Sequence, residues 1–234
     1  MTGKMPLILL PGLLCDATLW QYQLSALTEF AEPRVADLTG ADTMAALAET
    51  VLAAAPARFA LAGLSMGGYV AFEILRRAPE RVSRLALLDT SARPDSEAQR
   101  ERRLGLIELA QIGRFKGVTP RLLPLMLHEK HLVPPLTDIV TAMAERVGQA
   151  AFLRQQQAIL GRIDSRPSLA AIGVPTLVLC GDADVLTPPA QAEEIAAGIP
   201  GARLSLIERS GHLSTLEQPE AVNRALIEWL TEED

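Results

Sequence analysis

Six short apolar runs separated by helical segments are the feature that most constrains the fold of this chain. The runs are continuous rather than alternating, which is typical of parallel strands buried on both faces. They are Leu7–Leu10, Arg34–Leu38, Arg58–Ala62, Leu85–Leu88, Thr176–Cys180 and Leu204–Ile207. The pattern predicts an α/β fold with a mostly parallel sheet of about six strands and helices on both faces.

Four segments with helical periodicity lie between these runs, and a fifth follows the last run. Three of them follow a residue that can cap a helix N-terminus, namely Asp16, Thr43 and Thr187. Proline at position 188 suits the first turn of a helix. The predicted helices are Ala17–Glu29, Met44–Ala55, Met66–Ala78, Pro188–Gly198 and Pro219–Leu230.

The stretch from Pro94 to Arg166 interrupts the alternation because it contains no clear strand. Its amphipathic segments Ser96–Gly113 and Leu136–Ile163 predict two helices, with the apolar run Leu122–Leu127 between them. We therefore expect an α/β core made of residues 1–93 and 167–234, with residues 94–166 as a helical insertion. The chain shows no internal repeat and no low-complexity linker.

The composition fits one globular domain and argues against several classes of protein. A chain of 234 residues that is 49% hydrophobic can bury a sizeable core. The net charge of −6 and the lack of a basic stretch argue against nucleic acid and anionic membranes as partners. Every apolar run is shorter than the ~18 residues that a membrane-spanning helix requires. The expected partner is a small molecule, and the oligomeric state is left open.

The N-terminal region and the cysteines carry no strong signal. The apolar run before Cys15 faintly resembles a lipoprotein signal, but Pro11 and Gly12 interrupt it, and Leu14 is too large for the position before a modified cysteine. We therefore expect a cytoplasmic protein. Cys15 and Cys180 lie far apart and form no CxxC pair, which predicts buried free thiols.

Ser65 lies between a predicted strand and a predicted helix, in the segment Gly63-Leu64-Ser65-Met66-Gly67-Gly68. A strand that turns sharply into a helix crowds the corner, and glycine at 63 and 67 removes the side chains that would clash. Such a turn would expose the Ser65 hydroxyl at the carboxyl edge of the sheet. The alternative is a serine that merely caps a helix after an ordinary glycine-rich turn.

A serine hydroxyl needs an adjacent base to act as a nucleophile near neutral pH. His212 follows the last predicted strand, and loops that follow parallel strands share one edge of the sheet. We therefore expect His212 to be the base rather than a surface histidine. His128 and His131 lie in the insertion as an H-x-x-H pair, but no further ligand cluster accompanies them, so we expect a solvated face and no metal site.

The third member of a catalytic triad must accept a hydrogen bond from the imidazole. Asp184 follows the strand Thr176–Cys180 and lies near the tip of the turn, before the next helix. Asp182 is better placed to cap that turn, and Asp89 at the end of the neighbouring strand is a further candidate. We favour Asp184, which completes the order serine, aspartate, histidine along the chain.

The loop after the first strand can supply donors for an oxyanion. Gly12 would let the backbone approach Ser65, so that the amides of Leu13 and Met66 point at the same oxygen. Met66 begins a predicted helix, whose first amides lack internal partners. The alternative is a plain strand-to-helix loop.

Taken together, these segments resemble the α/β-hydrolase superfamily and, within it, the small carboxylesterase and 3-oxoadipate enol-lactonase group. The resemblance covers nearly the whole chain and implies a helical cap, here Pro94–Arg166, over the sheet. Its motifs are specific for the fold and triad and much less so for the substrate. They are Leu9–Gly12, Gly63–Gly68, Gly181–Pro188, Ser210–His212 and Glu217–Pro219.

Two departures from the family pattern matter. The family usually begins with a two-stranded antiparallel edge, whereas this chain starts almost directly at the central strand, which is why we expect only about six strands. The family usually has histidine before the oxyanion-loop glycine, where this chain has Pro11. The backbone donors survive that change.

The combined prediction is a serine hydrolase that cleaves ester, lactone or thioester bonds of small substrates. Ser65 would be the nucleophile, His212 the base and Asp184 the group that orients it, without a metal or organic cofactor. The same triad could serve acyl transfer, perhydrolysis, lyase or C–C hydrolase chemistry, which the fold does not separate. The non-enzyme alternative is a ligand receptor with a vestigial triad.

Apolar residues near the oxyanion loop and in the insertion are candidates for the substrate pocket. For those of the insertion, packing within the insertion is at least as good an interpretation. The candidates are Leu14, Trp20, Leu122, Leu123, Leu125, Met126 and Leu127.

Overall fold

A computed structural model describes residues 4–232 and contains one six-stranded sheet. Its spatial order is β2-β1-β3-β4-β5-β6, and every neighbouring pair is parallel. The strands are β1 (Met5–Leu10), β2 (Ala31–Val35), β3 (Phe59–Leu64), β4 (Val82–Leu88), β5 (Thr176–Gly181) and β6 (Arg203–Ile207). The predicted parallel sheet of about six strands is confirmed.

The burial of each strand follows its place in the sheet. Every residue of the central strands β3 and β5 is buried, whereas exposed and half-buried residues alternate along the edge strand β6. β2 is the other edge strand and begins before the predicted segment Arg34–Leu38, so that prediction was wrong in position. Pro33 lies within β2, where an edge strand tolerates the missing backbone donor.

Helices cover both faces of the sheet. Leu7 and Leu9 of β1 point to one face, where they meet α1 and α9, while Ile8 and Leu10 point to the other, with α2, α3 and α7. The helices are α1 (Gln21–Ala26), α2 (Met44–Ala54), α3 (Met66–Arg77), α4 (Glu97–Leu109), α5 (Leu123–Met126), α6 (Leu136–Leu160), α7 (Pro189–Gly198), α8 (Ser214–Glu217) and α9 (Pro219–Thr231). Single 3-10 turns occupy Ala17–Trp20, Pro79–Arg81, Glu129–His131 and Arg166–Ala171.

Several predicted helix boundaries were wrong for local reasons. The segment predicted as one helix, Ala17–Glu29, is a 3-10 turn followed by the short α1, although Asp16 caps it as expected by accepting a bond from the Thr18 amide. The helix α7 begins after Pro188 and not at a Thr187 cap. The hydroxyl of Thr187 is bonded to Asp184 instead.

The chain between β4 and β5 is helical, and residues 94–166, all of which are described, contain no strand. Its two long helices are interrupted at glycines. α4 leads into a wider turn, Ala110–Arg114, that ends where Gly113 takes a φ of 76°. α6 was predicted as continuous from Leu136 to Ile163, but Gly148 takes a φ of 76° and breaks its regular geometry. Positive φ values are easily reached only by glycine.

Two smaller expectations concern cysteines and membranes. Cys15 and Cys180 are buried free thiols, as predicted. Within residues 4–232, no helix combines the length and the apolar character that crossing a membrane requires.

Candidate active site

Ser65 occupies a strained corner between β3 and α3. Its φ of 54° and ψ of −114° lie outside the regions that non-glycine residues usually adopt. Hydrogen bonds to neighbouring groups hold Ser65 in this conformation. The Ser65 amide donates to the carbonyl of Leu88 at 3.0 Å, and the Thr90 hydroxyl donates to the carbonyl of Ser65 at 2.8 Å.

The glycines around Ser65 permit close backbone contacts. A Cβ atom on Gly67 would lie 2.2 Å from the carbonyl oxygen of Leu10, and one on Gly63 would lie 2.5 Å from that of Gly67. Both distances are shorter than van der Waals contact. The tight corner predicted from the sequence therefore requires glycine at both positions.

The structure brings His212 and Asp184 to Ser65. Nε2 of His212 lies 2.9 Å from Oγ of Ser65, and Nδ1 of His212 lies 2.8 Å from Oδ2 of Asp184. Ser65 follows β3, Asp184 follows β5 and His212 follows β6, so all three lie at the carboxyl edge of the sheet. The arrangement can move the serine proton to the imidazole and stabilise the resulting charge.

Hydrogen bonds from the residues that follow Asp184 in the turn after β5 fix its carboxylate in place. The amides of Leu186 and Thr187 donate to its Oδ1 at 2.8 and 3.0 Å, and the Thr187 hydroxyl donates to Oδ2 at 2.7 Å. Burial opposes its ionisation, but the charge and hydrogen bond of His212, with the Thr187 bonds, outweigh burial and lower the pKa of Asp184. Asp184 is therefore an ionised acceptor beside the ring. Thr187, which the sequence suggested as a helix cap, supports the carboxylate.

The contact between His212 and Asp184 shifts the pKa of His212 in the opposite direction, upwards. Burial disfavours the imidazolium, but the negative charge of Asp184 and the hydrogen bond to it more than compensate. The pKa of His212 is consequently raised above the ordinary imidazole value.

The two alternative acids have other partners. Asp182 accepts a bond from the Ser210 amide at 3.2 Å, consistent with a turn cap. Asp89 accepts from the Gly181 amide at 2.8 Å and from the Ser214 hydroxyl. Burial, together with the charge of Asp184, raises the pKa of Asp89 well above its usual range. Neither carboxylate contacts the ring of His212 directly.

Asp89, Cys180 and Asp184 are the candidate metal ligands, since their ligand atoms lie within 4.8 Å of one another. Both carboxylates, however, accept hydrogen bonds from protein donors. Burial also raises the pKa of the Cys180 thiol, which disfavours the thiolate that binds metals. This cluster fits a hydrogen-bonded support for the turn better than a metal centre.

Glu217 supports the loop that carries His212. Its buried carboxylate accepts bonds from the amides of Gly211 at 2.9 Å, Leu213 at 3.2 Å and His128 at 2.7 Å. The amide of His212 donates to the carbonyl of Met126 at 2.9 Å. The histidine loop is therefore fastened to the helical insertion. The sequence offered Glu217 only as part of a motif, and its role depends on contacts that spacing does not reveal.

The loop between β1 and α1 approaches Ser65 as predicted. A Cβ on Gly12 would lie 3.5 Å from Cβ of Ser65. Within residues 4–232, neither the amide of Leu13 nor that of Met66 donates to another protein atom. Both amides are therefore free to bind an oxyanion.

Gln155 of α6 fixes this loop, and sequence reasoning missed it. Leu14 takes a positive φ of 59°, and its amide donates to Oε1 of Gln155 at 3.0 Å. Nε2 of Gln155 donates to the carbonyl of Leu38 at 3.1 Å. The side chain is fully buried, so both bonds are shielded from water. A glutamine within a long amphipathic helix gives no sequence signal for this task.

His128 and His131 lie away from the nucleophile. Their rings contact each other edge to face at 6.2 Å between centroids, and Nδ1 of His128 accepts a bond from the Lys130 amide. His128 caps the start of the short turn Glu129–His131, and its own amide donates to Glu217. They are structural neighbours of the histidine loop.

A cavity of about 1040 Å³ opens over Ser65 and His212. Of the predicted pocket residues, four line it: Leu14, Leu122, Leu125 and Met126. Trp20, Leu123 and Leu127 do not line the cavity and pack in the core instead. Leu123 and Leu127 are four residues apart around the short α5, so they share a face that points away from the cavity.

Comparison with known proteins places this site in context. The model of the alpha/beta hydrolase family matches residues 7–225. A thermophilic esterase from Thermogutta terrifontis has a TM-score of 0.86 at 32% identity, covering 98% of this chain and 90% of its own. The enol-lactonase from Burkholderia xenovorans LB400 has a TM-score of 0.86 at 28% identity, covering 98% and 93%. The pimeloyl-[acyl-carrier protein] methyl ester esterase of Neisseria meningitidis is 29% identical over 184 residues, covering 76% of this chain and 71% of that protein.

Proposed function

We propose that this chain, which belongs to the alpha/beta hydrolase family, is a serine hydrolase that cleaves carboxylic ester bonds of small substrates. The observation that carries the proposal is the continuous hydrogen-bonded line from Ser65 through His212 to Asp184. The names of its relatives, which include esterases and an enol-lactonase, point to the same class of bond. Lactones and thioesters are chemically close and belong to the same proposal.

In the proposed mechanism, Oγ of Ser65 attacks the carbonyl carbon while its proton passes to Nε2 of His212. Asp184 stabilises the imidazolium. The amides of Leu13 and Met66 bind the oxyanion, and each such donor contributes about 3 kcal/mol to the transition state. His212 then returns the proton to the departing alkoxide, which leaves an acyl group on Ser65.

Deacylation uses the same groups with water as the nucleophile. His212 takes a proton from a water molecule, the resulting hydroxide attacks the acyl carbonyl, and Ser65 leaves as its hydroxyl after regaining that proton. None of these steps calls for a metal or organic cofactor.

We further infer that residues 94–166 act as a cap over an α/β core formed by residues 1–93 and 167–234. Supporting this, residues of both parts line the one cavity that contains Ser65. A covered cavity favours small substrates over extended aggregates such as lipid droplets.

The proposal is tested with a fluorophosphonate probe and short p-nitrophenyl esters. We expect the wild type to be labelled and to release p-nitrophenol, and Ser65→Ala to do neither. Ser25→Ala removes an exposed serine far from the site and is the matched control. Equal labelling and equal rates in the wild type and Ser65→Ala would overturn the proposal. A ligand receptor with an inactive triad would also fail to react.

A further inference from the structure

The cavity over Ser65 is lined by many more positive than negative side chains. Among its lining residues the only carboxylate is that of Asp95. The chain as a whole has a net charge of −6. The cavity lining is therefore cationic, although the chain as a whole is acidic. The cationic lining residues are Arg93, Arg102, Arg103, Arg114, Lys116, Arg121, Arg162 and Arg166.

Two of these arginines form the inner part of the charged wall. Arg103 and Arg162 both contact Asp95, at 2.7 and 2.8 Å, so one carboxylate faces two guanidinium groups. The guanidinium of Arg162 also stacks over the ring of Tyr69 at 4.3 Å from its centroid. Only 7% of the Arg162 side chain is exposed. This inner group holds a net positive charge in a fixed position.

Four cations form the outer part of the wall, and all four are exposed. Within residues 4–232, none of them has an ion-pair or hydrogen-bond partner. Arg93 and Arg166 differ, because both are bound to carboxylates such as that of Glu194. The four unpaired cations are Arg102, Arg114, Lys116 and Arg121.

The cavity also has apolar lining residues. Leu106, Phe115 and Leu122 line the cavity together with Leu14 beside Ser65. A cleft lined by one sign of charge concentrates ligands of the opposite sign. Guanidinium groups bind carboxylate and phosphate oxygens in pairs, which adds geometric selectivity.

We propose, building on the proposed ester hydrolysis at Ser65, that the cavity selects anionic substrates. The substrate would place its scissile carbonyl at Ser65, an apolar segment along the leucines and a carboxylate or phosphate among the unpaired cations. The anionic group could belong to the acyl chain or to the leaving group. The cavity volume of about 1040 Å³ leaves room for a substrate longer than a simple acetate ester.

Two matched pairs of substrates distinguish these sources. The first compares mono-p-nitrophenyl adipate with its methyl-capped neutral analogue, which tests a carboxylate on the acyl chain. The second compares acetyl-coenzyme A with acetyl-N-acetylcysteamine, which tests phosphate on the leaving group. In at least one pair we expect kcat/KM to be about tenfold higher for the anionic member at low salt and the ratio to fall as ionic strength rises.

Matched variants test the origin of the preference. Arg114→Gln/Arg121→Gln removes two unpaired cations from the cavity wall. Arg58→Gln/Arg224→Gln removes two exposed arginines that do not line the cavity and changes the net charge equally. We expect the anionic-to-neutral ratio to fall about fivefold in the first variant and to stay unchanged in the second. A ratio near one in both pairs, or an equal fall in both variants, would overturn the inference.

A binding measurement separates this inference from the proposed chemistry. Calorimetry with adipate and with pyrophosphate on Ser65→Ala reports anion binding without turnover. We expect binding that weakens in the background of Arg114→Gln/Arg121→Gln and persists in that of Arg58→Gln/Arg224→Gln. Anion binding by Ser65→Ala, combined with no ester hydrolysis by the wild type, would overturn the proposed function but support the anion site. Hydrolysis of neutral esters without binding of either anion would overturn the anion site and leave the function intact.

Discussion

Nε2 of His212 lies 2.9 Å from Oγ of Ser65, although 147 positions separate the two residues along the chain. The contact exists because parallel strands end at a shared edge, where loops from distant parts of the sequence meet. Its chemical value depends on the ring being neutral when the substrate arrives, since only neutral imidazole can accept the serine proton.

On acidification, kcat/KM should therefore begin to fall at a relatively high pH. Because Asp184 raises the pKa of His212 despite burial, the imidazolium persists to higher pH than in a free histidine. We expect kcat/KM for a neutral ester to fall with decreasing pH through one ionisation above the ordinary value of about 6.5. A rate that stays flat down to about pH 5 would contradict this assignment of the base.

Substituting the two buried carboxyls by asparagine should identify the acid. Asp184→Asn removes the negative charge that orients and stabilises the imidazolium, and we expect kcat to fall by about 10⁴. Asp89→Asn keeps an oxygen acceptor for the Gly181 amide and leaves the ring contacts intact, so kcat should fall by less than about tenfold. The reverse order of effects would make Asp89 the acid. Circular dichroism of both variants checks that they are folded.

Gln155 should act as a positioning residue for the oxyanion loop. Gln155→Met leaves the buried amide of Leu14 and the buried carbonyl of Leu38 without partners, at a cost of about 1–3 kcal/mol each in the free energy of unfolding. Because the donors misalign mainly in the transition state, we expect kcat to fall about tenfold with little change in KM. Gln157→Met changes an exposed glutamine on the same helix and is the control. Lowered stability with an unchanged kcat would mean that Gln155 is structural only.

Two glycine substitutions should act in opposite directions on stability. Gly67→Ala drives a methyl group to 2.2 Å from the carbonyl oxygen of Leu10, and we expect a loss of more than about 4 kcal/mol or failure to fold. Gly105 lies inside α4 with no atom within 4 Å of an added Cβ. Gly105→Ala should therefore raise the free energy of unfolding by about 0.4–1 kcal/mol. Urea denaturation measures both values.

The sheet was predictable because continuous apolar runs are typical of buried parallel strands and because glycine at 63 and 67 suits a sharp turn from strand to helix. β3, β4 and β5 lie where their apolar runs predicted, with ends shifted by at most three residues. β2 was misplaced, since it spans Ala31–Val35 rather than the predicted Arg34–Leu38, and it includes Pro33, which an edge strand accommodates. Local pattern cannot tell whether a strand has one neighbour or two.

The support of the site was less predictable because it depends on long-range contacts. The sequence indicated which residues follow strand ends, and the structure brings Ser65, His212 and Asp184 together there. It did not indicate that Gln155 bonds to Leu14 across 141 positions, or that Glu217 binds the amide of His128. Nor did it separate Leu123 and Leu127, which face the core, from Met126, which faces the cavity.

The bond between Gln155 and the Leu14 amide has a consequence for how such proteins can diverge. The helix that carries Gln155 lies within residues 94–166, yet the amide it binds belongs to the loop between β1 and α1, which approaches Ser65. Exchanging residues 94–166 for those of a relative would remove the side chain that holds this loop, together with side chains that line the cavity. New specificity in this chain is therefore reached more safely through single cavity-facing substitutions than by grafting whole segments.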